Sequence, residues 1–484
     1  MSAPTLLSSF ADTLPGMSAP WSPTSFPDAT LLILNVSLAE ELGMDAAWLR
    51  SEDGLRFLMG EQLPESAHPV SQGYAGHQFG QFNPRLGDGR AVLLGEVETA
   101  EGLRDIHLKG SGRTPFSRGS ADGRATVGPM LREYLVSEAM HAMGIPSTRA
   151  LAVILTGESL RRQGIEPGAI LVRVASSHLR VGSFQLARML HERNPGQLED
   201  LADFAIARHY ADELDDGDYV GLLRRVSIRQ AQLIAQWMHV GFVHGVMNTD
   251  NTSISGETID YGPCAFVDAF DSNAWFSSID QQGRYAFGRQ GPIMMWNLER
   301  LAESLLPLIE AQLGVDTEGA IAAATEELKR FPGYFHQAME STWLPALGLA
   351  EATDARRQLL EEFLDWLNAA HPDHLTVLRN LAEADSQEEP QGTLLPEEWM
   401  QRWRAENPDA ELMKRVNPVR IPRNHLVEEA LSQAAGGNME PFEELLSAVT
   451  DPFARADSSS QAHAEKFTQP APEGFGDYTT YCGT

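Results

Sequence analysis

The chain has few cysteines and no long apolar run. Only two of its 484 residues are cysteine, Cys264 and Cys482, so the sequence fits neither a disulfide framework nor a zinc site built on several cysteines. No apolar stretch approaches the roughly 18 residues that a membrane-spanning helix requires. Residues 1–17 contain no Lys or Arg, whereas a secretory signal peptide begins with a basic region. We therefore expect a cytoplasmic protein with no membrane partner.

Positive charge is also scarce. The chain has 37 Lys and Arg against 67 Asp and Glu, for a net charge of -30, which argues strongly against a nucleic-acid partner. Between Arg85 and Arg149, however, nine basic residues accompany eight acidic ones. Phosphate groups need cations, so this segment is a candidate phosphate-binding region, although chance clustering in an ordinary domain gives the same count.

The apolar pattern predicts an α+β protein. Residues 1–70 indicate an N-terminal lead-in, irregular over residues 1–30, with a short strand expected at Leu31–Val36 and a short helix at Leu38–Leu49. Residues 71–182 indicate a small lobe, 183–314 a mostly helical large lobe, 315–454 a helical extension, and 455–484 a flexible tail that contains Cys482. Within the small lobe the predicted order is two strands, a helix and two strands. These elements are Ala91–Glu98, Asp105–Gly110, Met130–Met143, Arg149–Thr156 and Ala169–Ala175. That order predicts a two-lobed, protein-kinase-like fold with a helical C-terminal extension.

The most informative segment is a loop that ends at Asn251 and is followed by Asp260. Protein kinases place a catalytic Asp and a metal-binding Asn five residues apart in such a loop, and a metal-binding Asp follows in Asp-Phe-Gly. Here Asn251 and Asp260 stand at the metal positions, but Val246 stands where the base belongs. Valine cannot accept a proton, so the nearest candidate base is Asp250. Asp250 could instead support the loop or bind a second metal.

Upstream residues supply candidate phosphate ligands. Lys109 ends an apolar strand, as the phosphate-binding lysine of a kinase does, although a lysine at a strand end is often simply solvated. Gly87 and Arg90 lie in a glycine-rich turn that suits close approach of backbone to phosphate, although a plain turn has the same composition. Arg173 lies within an apolar strand, where an arginine needs a partner; that partner is either phosphate or a structural carboxylate.

Several long motifs in order resemble the selenoprotein O family. They are Tyr74-Ala75-Gly76-His77-Gln78-Phe79-Gly80, Leu86-Gly87-Asp88-Gly89-Arg90, His107-Leu108-Lys109-Gly110, Leu131-Arg132-Glu133-Tyr134-Leu135, residues 241–251 and Asp260-Tyr261-Gly262-Pro263. The family is described as a pseudokinase fold that transfers AMP from ATP to Ser, Thr or Tyr hydroxyls of proteins. Its nucleotide is flipped relative to kinases, so pyrophosphate leaves. Bacterial members are also described as using UTP with manganese.

The resemblance implies a role for each matching residue. Asp250 would accept the proton, Asn251 and Asp260 would bind Mg²⁺ or Mn²⁺, and the nucleotide would contact Gly87, Gly89, Arg90, Lys109, Asp122, Gly123, Arg173, Arg180 and Asp260. Glu133 would pair with Lys109, but helical periodicity places Glu138, not Glu133, on the apolar face. Cys482 matches the selenocysteine position of some animal members, and we consider a redox pair of Cys264 and Cys482.

The sequence departs from the family pattern in two places. Ala125 and the residues after it replace a basic residue and two serines that usually follow the Asp122-Gly123-Arg124 segment, so one phosphate or docking contact is in doubt. The tail ends in Cys482-Gly483-Thr484 in place of Cys-Ser-Ser.

The sequence therefore predicts a monomeric protein adenylyltransferase that uses ATP, and UTP as an alternative, with protein acceptors as partners. Two other functions remain open. An ordinary phosphotransferase would release ADP, and Val246 argues against it. An inactive nucleotide-binding scaffold would be stabilised by nucleotide without turnover.

Overall fold

The structure is a computed structural model that describes residues 4–162, 164–383, 395–453, 466–472, 474–475 and 478–481. Over these ranges it combines many helices with antiparallel sheets, which confirms the α+β class. Among the helices described, none has both the length and the apolar character needed to cross a bilayer.

A large antiparallel sheet dominates the first 175 residues, with strand order β1-β3-β6-β7-β10-β9-β2 and β8 paired to β10. Two small two-stranded sheets, β4-β5 and β11-β12, lie outside it. The strands are β1 Ser18–Pro20, β2 Thr30–Leu34, β3 Val70–Gln72, β4 Gly76–Gln78, β5 Gln81–Asn83, β6 Ala91–Thr99, β7 Gly102–Lys109, β8 Ala125–Thr126, β9 Arg149–Arg161, β10 Ile165–Ala175, β11 Phe242–Val243 and β12 Ala265–Phe266.

Helices surround the sheet and account for most of the regular structure after residue 175 in the described chain. They are α1 Ser9–Thr13, α2 Val36–Glu41, α3 Ala46–Leu49, α4 Glu52–Leu58, α5 Val127–Ala142, α6 Val181–Leu190, α7 Gly196–His209, α8 Tyr219–His239, α9 Gln290–Leu313, α10 Thr317–Leu328, α11 Phe331–Ala346, α12 Asp354–Ala370, α13 His374–Glu383, α14 Glu397–Ala405, α15 Ala410–Val416, α16 Asn424–Ala435 and α17 Glu440–Val449. Short 3₁₀ turns lie at Pro15–Met17, Thr249–Asn251 and Phe287–Arg289.

The two faces of the large sheet differ in chemistry. Successive strand residues point to opposite faces, and in β10 the residues Ile170, Val172 and Val174 pack in an apolar core with helices α2 to α4. Arg173 points to the other face and lies opposite His107 of β7. Lys109 is two residues further along β7 and shares that face. This second face also packs against α5 through Leu171 and Val153, so the basic side chains lie beside a second apolar core.

The N-terminal segment contains the strand and the helical stretch expected at residues 31–49, as β2 and as the two short helices α2 and α3, but residues 1–30 are more ordered than expected because they contain α1 and β1. Strands β1 and β2 belong to the large sheet, and α2 to α4 cover one of its faces. Side chains such as Leu38 and Phe57 are buried there. The Pro-rich and Ser-rich composition of residues 1–30 conceals β1 because this strand is only three residues long.

The described residues after 315 are mostly helical, and the last two of their helices return to α5. Helices α16 and α17 pack against α5 in a core that includes Leu426, Phe442 and Val449. Helix α5 is therefore covered by the sheet on one side and by these helices on another. Its residues 127, 130, 131 and 133–140 are all buried, so this helix has no solvated face from which an inward direction could be predicted.

Residues 478–481 of the tail contact the body of the protein, in contrast to the expected flexible tail. The Thr480 amide donates to the Phe276 carbonyl at 2.7 Å, and the Ser278 amide donates to the Thr480 carbonyl at 2.9 Å. Thr480 is also linked to Ser277 as an isolated parallel bridge. Turn-type composition predicted no such pairing because the partner strand is 200 residues away.

Candidate functional site

A cleft of about 1120 Å³ lies on the face of the large sheet that carries Lys109 and Arg173. It is bordered by the glycine-rich turns after β5 and β7 and by the loop that follows β11. The cleft brings together Gly87, Gly89, Arg90, Lys109, Asp122, Gly123, Arg173, Arg180, Asp250, Asn251 and Asp260. All the residues expected to bind nucleotide or metal, and the candidate base, therefore line one cavity.

A buried ion cluster joins the sheet to the loop. The Lys109 Nζ donates to Asp260 Oδ1 at 2.5 Å and to Glu133 Oε2 at 2.6 Å. Arg173 Nη1 donates to the same two carboxylates, at 2.8 Å to Asp260 and 3.1 Å to Glu133. The structural partner expected for a mid-strand arginine is thus present, and the cluster holds two cations at the cleft.

Asp260 connects this cluster to the catalytic loop. Its backbone has φ of +64°, a left-handed conformation that Asp and Asn adopt more readily than most residues. Burial alone would raise the pKa of its carboxyl group, but the charges of Lys109, Arg173 and Arg180 hold that pKa well below its usual range. Asp260 is therefore an anion with hard oxygen atoms, as a Mg²⁺ or Mn²⁺ ligand must be.

Arg180 is a third cation close to Asp260. It is buried, its Nη1 donates to the Asp250 carbonyl at 3.0 Å, and its guanidinium lies 4.5 Å from the ring centroid of Tyr74. Carboxylate oxygens of Asp88 and Asp260 are each 3.7 Å away. Tyr74 and the loop carbonyl thereby fix the orientation of Arg180.

Asp250 has the environment of a proton acceptor. Its Oδ2 accepts a hydrogen bond from Gln78 Nε2 at 2.8 Å, and its buried Oδ1 has no hydrogen-bond partner among the described residues. Burial raises the pKa of this carboxyl group, while Gln78 and Arg180 partly offset the rise. Val246 also lines the cleft, so the valine at the kinase base position and the carboxylate of Asp250 face the same cavity.

The donor set at this end of the cleft fits a hard divalent cation. Asn251 Nδ2 donates to the Val246 carbonyl at 3.0 Å, which fixes the side-chain amide of a cleft residue next to Asp250. Asp260 contributes a carboxylate that is 22% exposed. The amide oxygen of Asn251 and the carboxylate of Asp260 match the ligand type that Mg²⁺ and Mn²⁺ prefer.

Two glycine turns shape the opposite wall. Gly87 has φ of +134° and a Cβ there would lie 2.5 Å from the Phe116 ring. Gly123 has φ of +70° and a Cβ would lie 2.2 Å from the Gly112 backbone. Only glycine fits such positions without displacing its neighbours. Asp122, beside Gly123, is held by Arg162 through contacts of 2.9 and 3.0 Å.

Glu133, and not Glu138, contacts Lys109. Glu138 instead accepts hydrogen bonds from Arg149, at 2.8 to 3.1 Å, and from Asn35 at 2.7 Å. Periodicity favoured Glu138 because it assumes one buried face, whereas α5 is buried on nearly all sides. The two glutamates therefore have different roles on one helix, one in the cleft cluster and one in the scaffold.

This difference gives a matched pair of variants. We expect Glu133→Gln to lower the transfer rate by about ten-fold to a hundred-fold, because Lys109 and Arg173 lose their shared carboxylate and their positions. Glu138→Gln should lower the free energy of unfolding by about 1–3 kcal/mol and leave the rate per folded molecule unchanged. Thermal unfolding and steady-state kinetics on both variants test this. Equal kinetic losses in both would contradict the assignment.

Sequence reasoning assigned no role to several cleft residues. Tyr74 orients Arg180, Gln78 binds Asp250, and Arg118 Nη2 donates to Gln78 Oε1 at 2.9 Å. Tyr481 also lines the cleft. Tyr74 and Gln78 belong to the family motif at residues 74–80. Their partners, Arg180 and Asp250, lie 106 and 172 residues away along the chain, so these two contacts could be identified only from the fold.

The predicted redox pair is described in part. Cys264 is buried, its Sγ contacts the Tyr261 carbonyl at 3.2 Å, and burial raises the pKa of its thiol to about 12. Cys482 lies outside the described residues. The pairing of Cys264 and Cys482 stays a prediction.

Comparison with known proteins identifies the family of the chain. A family model described as "Protein adenylyltransferase SelO" matches residues 9–450. The protein nucleotidyltransferase YdiU of Mycobacterium sp. (strain KMS) is 52% identical over 484 residues that cover 98% of each chain. YdiU of Mycolicibacterium smegmatis is 51% identical over 490 residues, covering 100% of this chain and 99% of the relative. The corresponding protein of Cereibacter sphaeroides (strain KD131) is 50% identical over 490 residues and 98% of each chain.

These matches span nearly the whole chain and confirm the resemblance predicted from its motifs. The relatives carry the name of a nucleotidyltransferase that acts on proteins, and the cleft described above has the cations that such chemistry requires. The chain therefore belongs to the SelO family and is a protein nucleotidyltransferase.

Proposed function

We propose that this enzyme transfers AMP from ATP to Ser, Thr or Tyr hydroxyls of acceptor proteins and releases pyrophosphate. The observation that carries the proposal is the pairing of Val246 with Asp250 in one cleft. An enzyme that transfers the terminal phosphate with a kinase geometry needs its base at position 246. A nucleotide bound in the flipped orientation presents its α-phosphorus instead, and the base then has to lie elsewhere.

The proposal includes a kinase-like division of the chain. Residues 71–182 form the small lobe, 183–314 the large lobe and 315–454 the extension, with β1 and β2 added to the small-lobe sheet. A buried Lys–Glu pair between a strand and a helix, here Lys109 and Glu133, is the arrangement that kinases use to place their lysine on phosphate. This pair supports the kinase-like fold.

Lys109, Arg173 and Arg180 bind the phosphates of the nucleotide. All three lie within 4 Å of Asp260, so three cations converge at one end of the cleft, where the carboxylates of Asp260 and Glu133 hold them in position. Arginine guanidinium groups suit forked contacts with phosphate oxygens, and lysine acts as a point charge. The glycine turns at Gly87 and Gly123 allow the nucleotide to approach the backbone.

Asn251 and Asp260 hold the divalent cation, either Mg²⁺ or Mn²⁺. When bound, such an ion neutralises charge on the phosphates and orients them for in-line attack. The chain's own contribution is to fix both ligands: Asn251 through the Val246 carbonyl and Asp260 through Lys109 and Arg173. UTP is the alternative nucleotide for the same cation set, because the phosphate contacts do not depend on the base.

Asp250 accepts the proton of the attacking hydroxyl. The acceptor oxygen forms a bond to the α-phosphorus, the bond from that phosphorus to the bridging oxygen breaks, and pyrophosphate carries away the electron pair. The raised pKa of Asp250 suits a group that must bind a proton transiently. Gln78 holds its Oδ2 at 2.8 Å and leaves Oδ1 free of described partners for the hydroxyl.

Intact-protein mass spectrometry tests the function. The enzyme is incubated with ATP, an acceptor protein and either Mg²⁺ or Mn²⁺, with UTP in a parallel reaction. We expect the acceptor to gain the mass of AMP and pyrophosphate to accumulate. A gain of one phosphate with release of ADP would show a phosphotransferase instead. Stabilisation by ATP with no modified acceptor, across several acceptors and both metals, would favour the scaffold.

A further inference from the structure

Residues Tyr478 to Tyr481 lie in an extended conformation at the rim of the cleft. Thr480 is the centre of this contact: its amide and carbonyl pair with Phe276 and Ser278, and its Oγ1 donates to the Pro263 carbonyl at 2.8 Å. Thr480 is 2% exposed, so the pairing is buried. Main-chain pairing of this kind is how an edge segment binds an extended peptide.

The next residue enters the cleft. Tyr481 lines the same cavity as Asp250, Asp260 and Pro263, yet 62% of its surface is exposed. The cavity wall beside it includes Ser278 and Ile279. A segment paired at position 480 therefore places its following residue, which has a hydroxyl in this chain, in the cavity that also contains the proposed base.

Tyr478, the first residue of the segment 478–481, has its own set of contacts. The ring of Tyr478 lies 6.1 Å from the ring of Phe276. Its hydroxyl donates to Glu428 Oε1 at 2.7 Å and accepts from Arg132 Nη1 at 3.1 Å. Arg132 and Glu428 also contact each other. The ring of Tyr478 therefore has an aromatic contact, and its hydroxyl has both a hydrogen-bond acceptor and a donor.

We propose that this rim is the docking site for the acceptor polypeptide and that residues 478–481 occupy it as a tethered mimic. The inference rests on the proposed function, because it identifies the acceptor as an extended segment. Such a segment pairs its backbone with Phe276 and Ser278 and carries an aromatic residue three positions before the reactive hydroxyl. Protein acceptors compete with the enzyme's own tail for this rim.

A binding experiment tests the rim without relying on catalysis. A labelled peptide of residues 474–484 with Cys482→Ser is titrated, in reducing buffer, into the full chain and into a chain ending at Asp477. We expect the shortened chain to bind the peptide at least about tenfold more tightly, because its rim has no tethered competitor. Thermal unfolding verifies that the shortened chain folds; if it does not, Thr480→Pro in the full chain replaces it.

Two matched peptides locate the contact. A peptide with Thr480→Pro has no amide proton for the Phe276 carbonyl and no Oγ1 for the Pro263 carbonyl, and it should bind about tenfold more weakly. A peptide with Tyr478→Ala should also weaken, since its aromatic pocket is empty. Equal binding of these peptides and the parent, or equal binding of the parent to both chains, would overturn the proposal.

Kinetics separate this inference from the proposed function. With ATP fixed, the shortened chain should show a KM for the acceptor protein about tenfold lower than that of the full chain, and the parent peptide should compete with acceptor and not with ATP. Competition with ATP would overturn the docking site. Failure to transfer AMP would refute the function alone, because peptide binding still decides whether the rim takes an extended segment.

Discussion

Asp260→Asn should reduce nucleotidyl transfer about a thousandfold. The substitution removes the carboxylate that Lys109, Arg173 and Arg180 share, and it removes the anionic ligand proposed for the metal. Charge stabilisation by a bound cation contributes several kcal/mol, and each 1.36 kcal/mol corresponds to a tenfold change in rate. Asparagine tolerates the positive φ of this position, so the backbone should remain in place. Single-turnover rates with saturating ATP measure the effect.

The variant should also be less stable than the wild type without nucleotide. Three cations at the cleft lose an anionic partner, and breaking a buried pair costs about 3–5 kcal/mol. Because Asp260 is 22% exposed, we expect the lower end of that range. Nucleotide phosphates can replace the missing negative charge, so ATP should raise the melting temperature of the variant more than that of the wild type.

Asp268→Asn is the matched control. Asp268 is 24% exposed, is paired with buried Arg423 at 2.8 Å, and lies eight residues from Asp260 outside the cleft-lining set. Its loss should lower stability without changing the transfer rate of the folded enzyme. If Asp260→Asn and Asp268→Asn had the same kinetic effect, the role of Asp260 as a metal and phosphate-cluster residue would be wrong.

Lys109, Asn251 and Asp260 were predicted to lie close together, and one physical reason explains why the sequence allowed this prediction. Lys109, Asn251 and Asp260 lie at strand or loop ends whose local motifs constrain the backbone, and their order along the chain matches the order in which a kinase-like fold uses them. The cleft contains all three. The positions of these residues along the chain predict a site because few arrangements of ligands can bind a metal ion and a triphosphate together.

The choice between Glu133 and Glu138 shows where local pattern fails. Periodicity identifies an inward face only when the opposite face is solvated, and α5 is covered on two sides by the sheet and by α16 and α17. Those helices come about 300 residues later. No reading of α5 by itself could include them, so the partner of Lys109 followed from the motif and not from the helical pattern.

The tail contact and strand β1 were not predicted for a related reason. Thr480 pairs with Phe276 and Ser278, and β1 pairs with β3 at residues 70–72. Both contacts use backbone groups, which leave little trace in side-chain composition. Gln78 is similar, since its hydrogen bond to Asp250 joins the end of β4 to the 3₁₀ turn at Thr249–Asn251, and the proximity of these two segments depends on the whole fold. The motifs therefore predicted the candidate site residues, whereas contacts between segments distant in sequence, which position the surrounding residues, were not predictable from local patterns.

The second large effect concerns the proposed base. Asp250→Asn should lower kcat by about 10²–10⁴-fold, the range attributed to a positioned proton acceptor, while nucleotide affinity changes little. The affinity is retained because Arg180 binds the carbonyl of residue 250 and not its carboxylate. Asparagine can keep the contact with Gln78 through its side-chain oxygen. Isothermal titration with ATP and single-turnover transfer assays separate the two quantities.

Glu257→Gln provides the comparison for Asp250→Asn. Glu257 is also a carboxyl group whose pKa burial raises, but it accepts hydrogen bonds from Ser176 and Ser255 and does not belong to the cleft-lining set. Its loss should affect stability and leave kcat intact. If Asp250→Asn weakened ATP binding as strongly as it slowed transfer, Asp250 would be a metal ligand or a loop support. If it slowed transfer at unchanged affinity, the carboxylate would be acting on the acceptor hydroxyl, and the valine at position 246 would be explained by a base that has moved to follow the α-phosphorus.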